Sequence, residues 1–251
     1  MSKFVELPLL KEPPLIEVLY GLQAISSPAV TKEHVRSLVD ASLGDGYSIE
    51  DMNKLQVIVK AQTDGKQVHE QEMEWGGCKA VSADKTVVVH LMREGLFVSF
   101  LPPYKGFPEC IEAVQKRWEL YQRCFAPEQV VRIGIRYINL LKIPVVDGSV
   151  NFGEFFKLLT FYPVDGPFHL HRFHHQFEVS EPEYSLPARI NFTSTKETRD
   201  QLEVVLDIET YEEVNRPPAD PEMWDRFDRA RHWAYKLFTN ALTEQCFQRY
   251  Q

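Results

Sequence analysis

Nowhere does the chain carry an apolar run long enough to cross a bilayer as a helix, which takes about 18 to 20 residues. Nor does the opening segment, Met1-Ser2-Lys3-Phe4-Val5-Glu6-Leu7-Pro8, hold the apolar core of a secretory leader, so a cytoplasmic protein with no membrane contact is expected. Cysteine is scarce. The four residues Cys78, Cys110, Cys124 and Cys246 form no C-x-x-C pair, which excludes zinc-ribbon and thioredoxin-type motifs. Cys110 and Cys124 fall fourteen residues apart on one predicted helix, roughly 21 Å at the helical rise and too far for a disulfide. All four read as reduced, buried small hydrophobes. Basic residues are the minority, 28 against 36 acidic ones, for a formal net charge of −8. Nucleic-acid binding normally needs a basic footprint, and the densest basic cluster, Arg226–Arg231, is interleaved with Asp225 and Asp228 in a pattern that predicts a solvated helix face. The chain lacks a G-x-x-x-x-G-K-[ST] loop, a G-x-G-x-x-G turn and a G-x-S-x-G elbow. His69-Glu70 is not completed to H-E-x-x-H, because position 73 is Met. Enzymes of the common types are therefore disfavoured, and no cofactor is expected.

What the chain does have is bulk for a core: 16 Phe, 10 Tyr and 4 Trp within 251 residues, with 44% hydrophobic and 25% charged residues. Its patterning alternates between two periods. Leu15–Tyr20 is extended after Pro13-Pro14, and Thr31 or Ser27 can cap a helix running to Gly44-Asp45-Gly46. Leu55–Ala61 and Gln67–Trp75 alternate about an Asp64-Gly65 turn, and Thr86–Leu91 and Leu96–Leu101 follow as strands up to Pro102-Pro103. Phe107, Ile111, Val114, Trp118, Tyr121 and Phe125 then recur at steps of three and four, the stripe of a long helix. Val130–Ile143 is the strongest strand, with Val131, Ile133, Ile135, Tyr137, Asn139 and Leu141 on one face and Arg132, Gly134 and Arg136 on the other. A short helix over Phe152–Leu159 and strands near Phe168–Val179, Ala188–Thr195 and Leu202–Tyr211 come next. A last helix opens at Asp220-Pro221-Glu222.

The order strand, helix, strands, long helix thus occurs twice. Shifting the first half by 115 residues lays Pro102-Pro103 on Pro217-Pro218 and Trp118 on Trp233, and Ile16, Val18, Tyr20 and Leu22 on Val131, Ile133, Ile135 and Tyr137. The expected fold is α+β. Two pseudo-repeated halves, about 13–126 and about 128–249, would join through their opening strands into one compact unit spanning 1–251.

At Arg132-Ile133-Gly134-Ile135-Arg136-Tyr137-Ile138-Asn139 the chain resembles an uncharacterised, sporadically distributed prokaryotic family of about 250-residue proteins with an R-I-G-x-R-Y-I-N strand. Pro13–Val18, Val205-Leu206-Asp207-Ile208-Glu209 and Phe238–Thr243 match further segments of that family in order. The resemblance covers nearly the whole chain and implies no established chemistry. Sporadic distribution implies an association with mobile loci, including phage-defence and toxin–antitoxin systems.

Three groups of residues are candidate sites. Arg132 and Arg136 flank Gly134 on one strand face, two guanidiniums beside a position with no side chain, where a planar or anionic group could approach. Asn139 ends the same motif, Glu17 is the first-half equivalent of Arg132 under the 115-residue shift, and Asp207 and Glu209 belong to a strand that can lie alongside. The bland reading of this group is an arginine–carboxylate network that fixes register, and partnered arginines are the commoner case on half-buried strands. The second group is His169, His171 and His175, with His174, where H-x-H spacing could hold a metal; a packed aromatic-like strand is the commoner outcome. The third, Glu70, Glu72 and Glu74, reads as a solvated strand face.

The leading expectation is a non-catalytic interaction or scaffold protein that binds another protein or itself. The alternative is a binder of small anionic ligands, or an unusual enzyme, with an arginine-lined pocket between the long helices and the sheet.

Overall fold

A computed structural model of the chain describes residues 7, 10–61, 67–148, 150–158 and 172–250, and the side chains of these except 56–61 and 67–72. In chain order the elements are β1 (Leu15–Ser26), α1 (Lys32–Leu43), β2 (Tyr47–Ala61), β3 (Gln67–Ser82), β4 (Val87–Met92), β5 (Gly95–Phe100) and α2 (Phe107–Phe125). Then come β6 (Pro127–Pro144), β7 (His174–Glu181), β8 (Leu186–Glu197), β9 (Gln201–Arg216), α3 (Met223–Ala241) and α4 (Glu244–Gln248). The chain is mixed α+β: its nine described strands form one sheet in the order β2-β3-β4-β5-β1-β6-β9-β8-β7, with antiparallel neighbours throughout.

The two opening strands, β1 and β6, pair with each other at the centre, and each pairs on its other side with the last strand before the next long helix, β5 or β9. The flanks are unequal. Four strands lie beyond β1 and three beyond β6, and the helix α1 has as its described counterpart only a single 3₁₀ turn, Phe152–Glu154. That turn corrects the helix expected over Phe152–Leu159. Here the backbone leaves the helical path to pair with the end of α3: Phe156 bridges Leu242, and the Lys157 amide donates to Ala241 O at 2.8 Å. Phe155 and Phe156 are buried by this detour, so tertiary burial outweighs local propensity.

The starts of α1 and α2 follow the sequence, whereas α3 begins at Met223, past the expected Pro221, and Glu222 caps it without a side-chain bond. Thr31 accepts the His34 amide at 3.3 Å to start α1. Pro108 sits in the first turn of α2, and Ala126 in the left-handed region ends that helix just before Pro127. Asp220 accepts the Glu222 amide at 2.9 Å ahead of α3.

The helices cover one face of the sheet. Val18, Tyr20 and Leu22 of β1, Ile133 and Ile135 of β6 and Val89 and Leu91 of β4 meet Ile111, Val114 and Trp118 of α2 and Phe227 and Ala230 of α3 in one buried cluster. A second cluster joins Leu141 and Ile143 to Phe192, Val204, Leu206 and Phe238. One detail of β6 departs from simple alternation. A register shift between Val130 and Arg132 places Val130 in the core and leaves Val131 half-exposed, as a bulge does.

The Arg226–Arg231 cluster is corrected as well, because it is not a solvated face. Arg226 is buried and hydrogen-bonded to Glu212 of β9, and the largely buried Arg231 pairs with Asp228 at 2.7 Å. The expected Asp64-Gly65 turn, and residues 168–171 of the strand expected near Phe168–Val179, lie outside the described residues.

Candidate functional site

The central motif of β6 points its arginines away from the helices. On that open face Arg136 donates to both oxygens of Asp207, at 2.7 and 2.6 Å, and Asn191 adds a third bond to the same carboxylate at 2.9 Å. Arg132 donates to Glu209 at 2.8 Å, and Glu209 also faces Arg189, at 3.5 Å, which in turn pairs with Glu178. The pairing is diagonal. Arg136 lies directly opposite Glu209 in the ladder and Arg132 opposite Glu213, yet the first guanidinium reaches two residues along β9, to Asp207, and the second four, to Glu209. The result is a ladder of alternating charge across β6, β9, β8 and β7. The fork-on-carboxylate geometry at Asp207 holds the Arg136 guanidinium above even its usual high pKa.

The gap expected beside Gly134 is filled. A Cβ there would stand 3.2 Å from Tyr211 Cβ and 3.3 Å from Thr210 O, and the Arg132 guanidinium stacks over the Tyr211 ring at 3.9 Å. Gly21, its direct partner on β1, is likewise covered by the Phe97 ring. Each glycine is thus roofed by an aromatic residue from the strand on its far side, which shields the bare backbone. Glu17 accepts a hydrogen bond from Ser99 at 2.6 Å on this face.

Asn139 stands apart from the arginines. Its side chain is buried toward the helices and donates to Leu206 O at 3.1 Å. Of the histidines, His169 and His171 lie outside the described residues. His174 meets Thr193 Oγ1 at 2.7 Å, and His175 rests between the rings of Phe173 and Phe177. Among the described residues no three His, Cys, Asp or Glu side chains come together as a metal-binding group. Glu74 is exposed, and the Glu70 and Glu72 side chains lie outside the described set.

On the helix-covered side, a half-open cavity of about 550 Å³ lies between the start of α2, the middle of α3 and the end of the β6 motif. That volume is within the range of small-molecule sites. Tyr137 and Asn139 of β6 face it, and the loop Pro102–Gly106 and Phe107 close one end. Arg231, Ala234, Tyr235 and Phe238 of α3 form a wall, and Leu10, Lys11, Pro13 and Leu15 line it from the N-terminal side. Arg231 stacks on the Phe107 ring at 4.3 Å.

The phenols of Tyr20, Tyr104 and Tyr137 gather at this end of the cavity, close enough to act on one another's ionisation. Burial pushes Tyr104 up to about 12 and the other two well above the ordinary tyrosine value, so all three remain protonated donors at neutral pH. Among the described lining residues there are three cations, Lys11, Lys105 and Arg231, and no carboxylate.

Of the sequence-predicted residues, then, Arg132, Arg136, Asp207 and Glu209 come together on the open face, Glu17 lies on that face with Ser99, and Asn139 alone lines the cavity. The residues that shape the cavity carry little sequence signal. Tyr104-Lys105 between a proline pair and a helix start is a visible aromatic–cation signal, whereas nothing in the sequence places Arg231 against Phe107. No family model, curated protein or solved structure matches the chain.

Proposed function

We propose that the protein is a ligand-binding protein that takes a small organic anion into the cavity between α2, α3 and β6. One observation carries this reading. A chain with a net charge of −8 presents three cations and no carboxylate among the described residues lining its cavity. A ligand entering there replaces water against mostly apolar walls, and the cations and phenols orient its charged end. The arginine pair of the motif acts differently in this reading, as a register lock on the opposite face, because its charges are already matched by Asp207 and Glu209.

Thermal unfolding of the full chain with a panel of organic anions, each beside its neutral isostere, tests the proposal. Saturable stabilisation by an anion is expected, since a ligand at about 100 times its Kd adds about 2.7 kcal/mol to the folded state. The shift should shrink in Ala234→Leu, which grows into the cavity from α3, and most for the longest ligands. Anions that shift both proteins alike, or shift neither, would overturn it.

A protein partner is the second reading, favoured by one feature. Beyond the last β3–β4 pair the β2–β3 ribbon runs on from Asn53↔Trp75 to Ala61↔Gln67 with no third strand beside it among the described residues, and it carries the directly paired Leu55 and Met73, 57% and 69% exposed. Light scattering of wild type against Leu55→Lys/Met73→Lys would detect a self-association that depends on this ribbon. The similar pairing on either side of the β1–β6 junction supports a duplicated origin of the two halves.

A further inference from the structure

The cavity is polarised along its length, and this polarity bears on its ligand. Arg231, Ala234, Tyr235 and Phe238 follow one another along α3, so the lining changes from guanidinium to aromatic hydrocarbon over seven residues, roughly 10 Å at the helical rise. The polar end is a cluster: Arg231 lies against Phe107, acts electrostatically on the Tyr104 and Tyr137 phenols, and stands near the loop that carries Lys105. The far end is apolar. Phe238 belongs to the second core cluster, and Leu10, which also lines the cavity, packs against the same cluster. Lys11 is exposed at that rim.

The charge at the polar end is small. Asp228 at 2.7 Å offsets Arg231, and the remaining lysine, Lys105, is exposed to water. Such an end can balance about one negative charge, and a doubly charged headgroup would be carried into apolar surroundings with its second charge poorly matched. The phenols are hydrogen-bond donors, suited to the oxygens of a carboxylate. Beneath them Tyr20 Oη is fully buried with the Tyr104 hydroxyl as its polar neighbour, so the three phenols form one small hydrogen-bonding cluster at this end.

We infer that the ligand is a monocarboxylate with an extended apolar tail, a medium-chain fatty acid in chemical class, its carboxylate held at Arg231, Tyr104 and Lys105 and its tail laid along Ala234 toward Phe238 and Leu10. The inference rests on the cavity being the binding site. A span of roughly 10 Å matches an extended chain of about eight carbons, and longer chains would emerge through the open side.

Calorimetric titration of the full chain with decanoate, decanol, decyl phosphate and benzoate tests the assignment. Decanoate should bind at least about tenfold more tightly than the other three, the scale of a charge-assisted hydrogen bond set by headgroup and of a lost tail. Lys105→Glu, a change at an exposed loop residue, should weaken decanoate about tenfold, while Lys85→Glu, an exposed lysine that does not line the cavity, should leave it unchanged. Ala234→Leu should shorten the longest chain that binds while circular dichroism reports the native fold.

The outcomes separate the two readings. Tighter binding of benzoate or decyl phosphate, lost in Ala234→Leu, would overturn the fatty-acid class and keep the anion-binding cavity. Equal binding of decanol and decanoate would overturn both, as would the absence of any binding sensitive to Ala234→Leu. Equal weakening by Lys105→Glu and Lys85→Glu would show bulk charge at work and overturn the placement of the carboxylate.

Discussion

The two faces of β6 treat polar groups in opposite ways. Toward open sheet, Arg132 and Arg136 meet carboxylates on the neighbouring strand, and each charge is matched within hydrogen-bond distance. Toward the helices, Tyr137 and Asn139 reach a cavity lined also by Arg231, which pairs with Asp228, and by the lysines Lys11 and Lys105. Successive residues of one strand therefore serve a closed electrostatic network and an open one. A motif dense in arginine marks the closed network, and the less conspicuous residues around it build the open one. Complete pairing between charges leaves little for a ligand to gain, whereas partial pairing beside a void leaves a good deal.

The largest effect separating the faces should come from packing. Phe227 of α3 is fully buried and lies 5.6 Å from the Tyr20 ring, at the centre of the helix-covered side. Phe227→Ala is expected to cost about 3 to 5 kcal/mol in urea unfolding. Arg132→Ala on the open face, which removes a partly exposed ion pair and a stacking contact, should cost about 1 kcal/mol. If the two costs proved equal, the open face would be as much a core as the other, and the contrast between them would fail.

The Arg136–Asp207 pair lies between these extremes. Asp207 is 6% exposed and its guanidinium partner 41%, so the cost of a broken pair depends on which member remains. Arg136→Met strands a buried carboxylate that, among the described residues, keeps only Asn191, for a loss of about 2 to 3 kcal/mol. The double change Arg136→Met/Asp207→Leu should regain most of that loss, because no unpaired charge is left. Decanoate binding should be the same in all these variants. A loss of binding in Arg136→Met would join the two faces functionally and remove the distinction.

How much of this could be read from the chain differs by face. Alternation alone put the arginines of β6 opposite its buried residues, and the apolar stripe of α2 matched its buried side nearly residue for residue. The diagonal partners were hidden, since Asp207 and Glu209 are assigned to Arg136 and Arg132 only once the β6–β9 register is known. Gly134 misled for a related reason. A missing side chain resembles a vacancy in sequence, and a cross-strand tyrosine takes the space. The cavity was the least legible of all, because its walls come from the N-terminal segment, the 102–107 loop, β6 and α3, and no local pattern records that they meet.

Alkaline titration probes the helix-covered face alone. Burial pushes the thiols of Cys110 and Cys124 from 9.0 to about 12 and that of Cys78 to about 11, and all three lie in the same core. Below about pH 9 the thiols are protonated in both folded and unfolded chains and contribute no pH dependence. Above it the unfolded chain releases protons that the folded chain retains, so stability should fall steadily from about pH 9 toward the folded values. The same burial should make these cysteines slow to alkylate at pH 8 until denaturant is added. Rapid labelling of the native protein, or a flat stability between pH 9 and 11, would contradict this account of the core.

The smallest expected difference lies within a single cross-strand pair. Gly21 and Gly134 face each other in the β1–β6 ladder and have similar aromatic roofs, yet the atoms that would meet a new methyl group differ. At Gly134 a Cβ would press on Tyr211 Cβ and Thr210 O, atoms on or next to the backbone of β9, and Tyr211 also carries the Arg132 guanidinium. At Gly21 it would touch the ring atoms of Phe97 at 3.2 and 3.4 Å, and a half-buried ring can tilt away. Replacing glycine by alanine also lowers the entropy of the unfolded chain, a gain of about 0.4 to 1 kcal/mol where the folded site accepts the methyl. Gly21→Ala should therefore be close to neutral. Gly134→Ala should be the less stable of the two by about 1 kcal/mol, with Arg132→Ala removing part of the gap because the tyrosine would then be free to move. Urea midpoints of the two single variants, and of each combined with Arg132→Ala, measure this directly. A reversed order would mean that the Phe97 roof is the rigid one, and that the fixed point of the open face lies on the β5 side of the junction, away from the charge ladder.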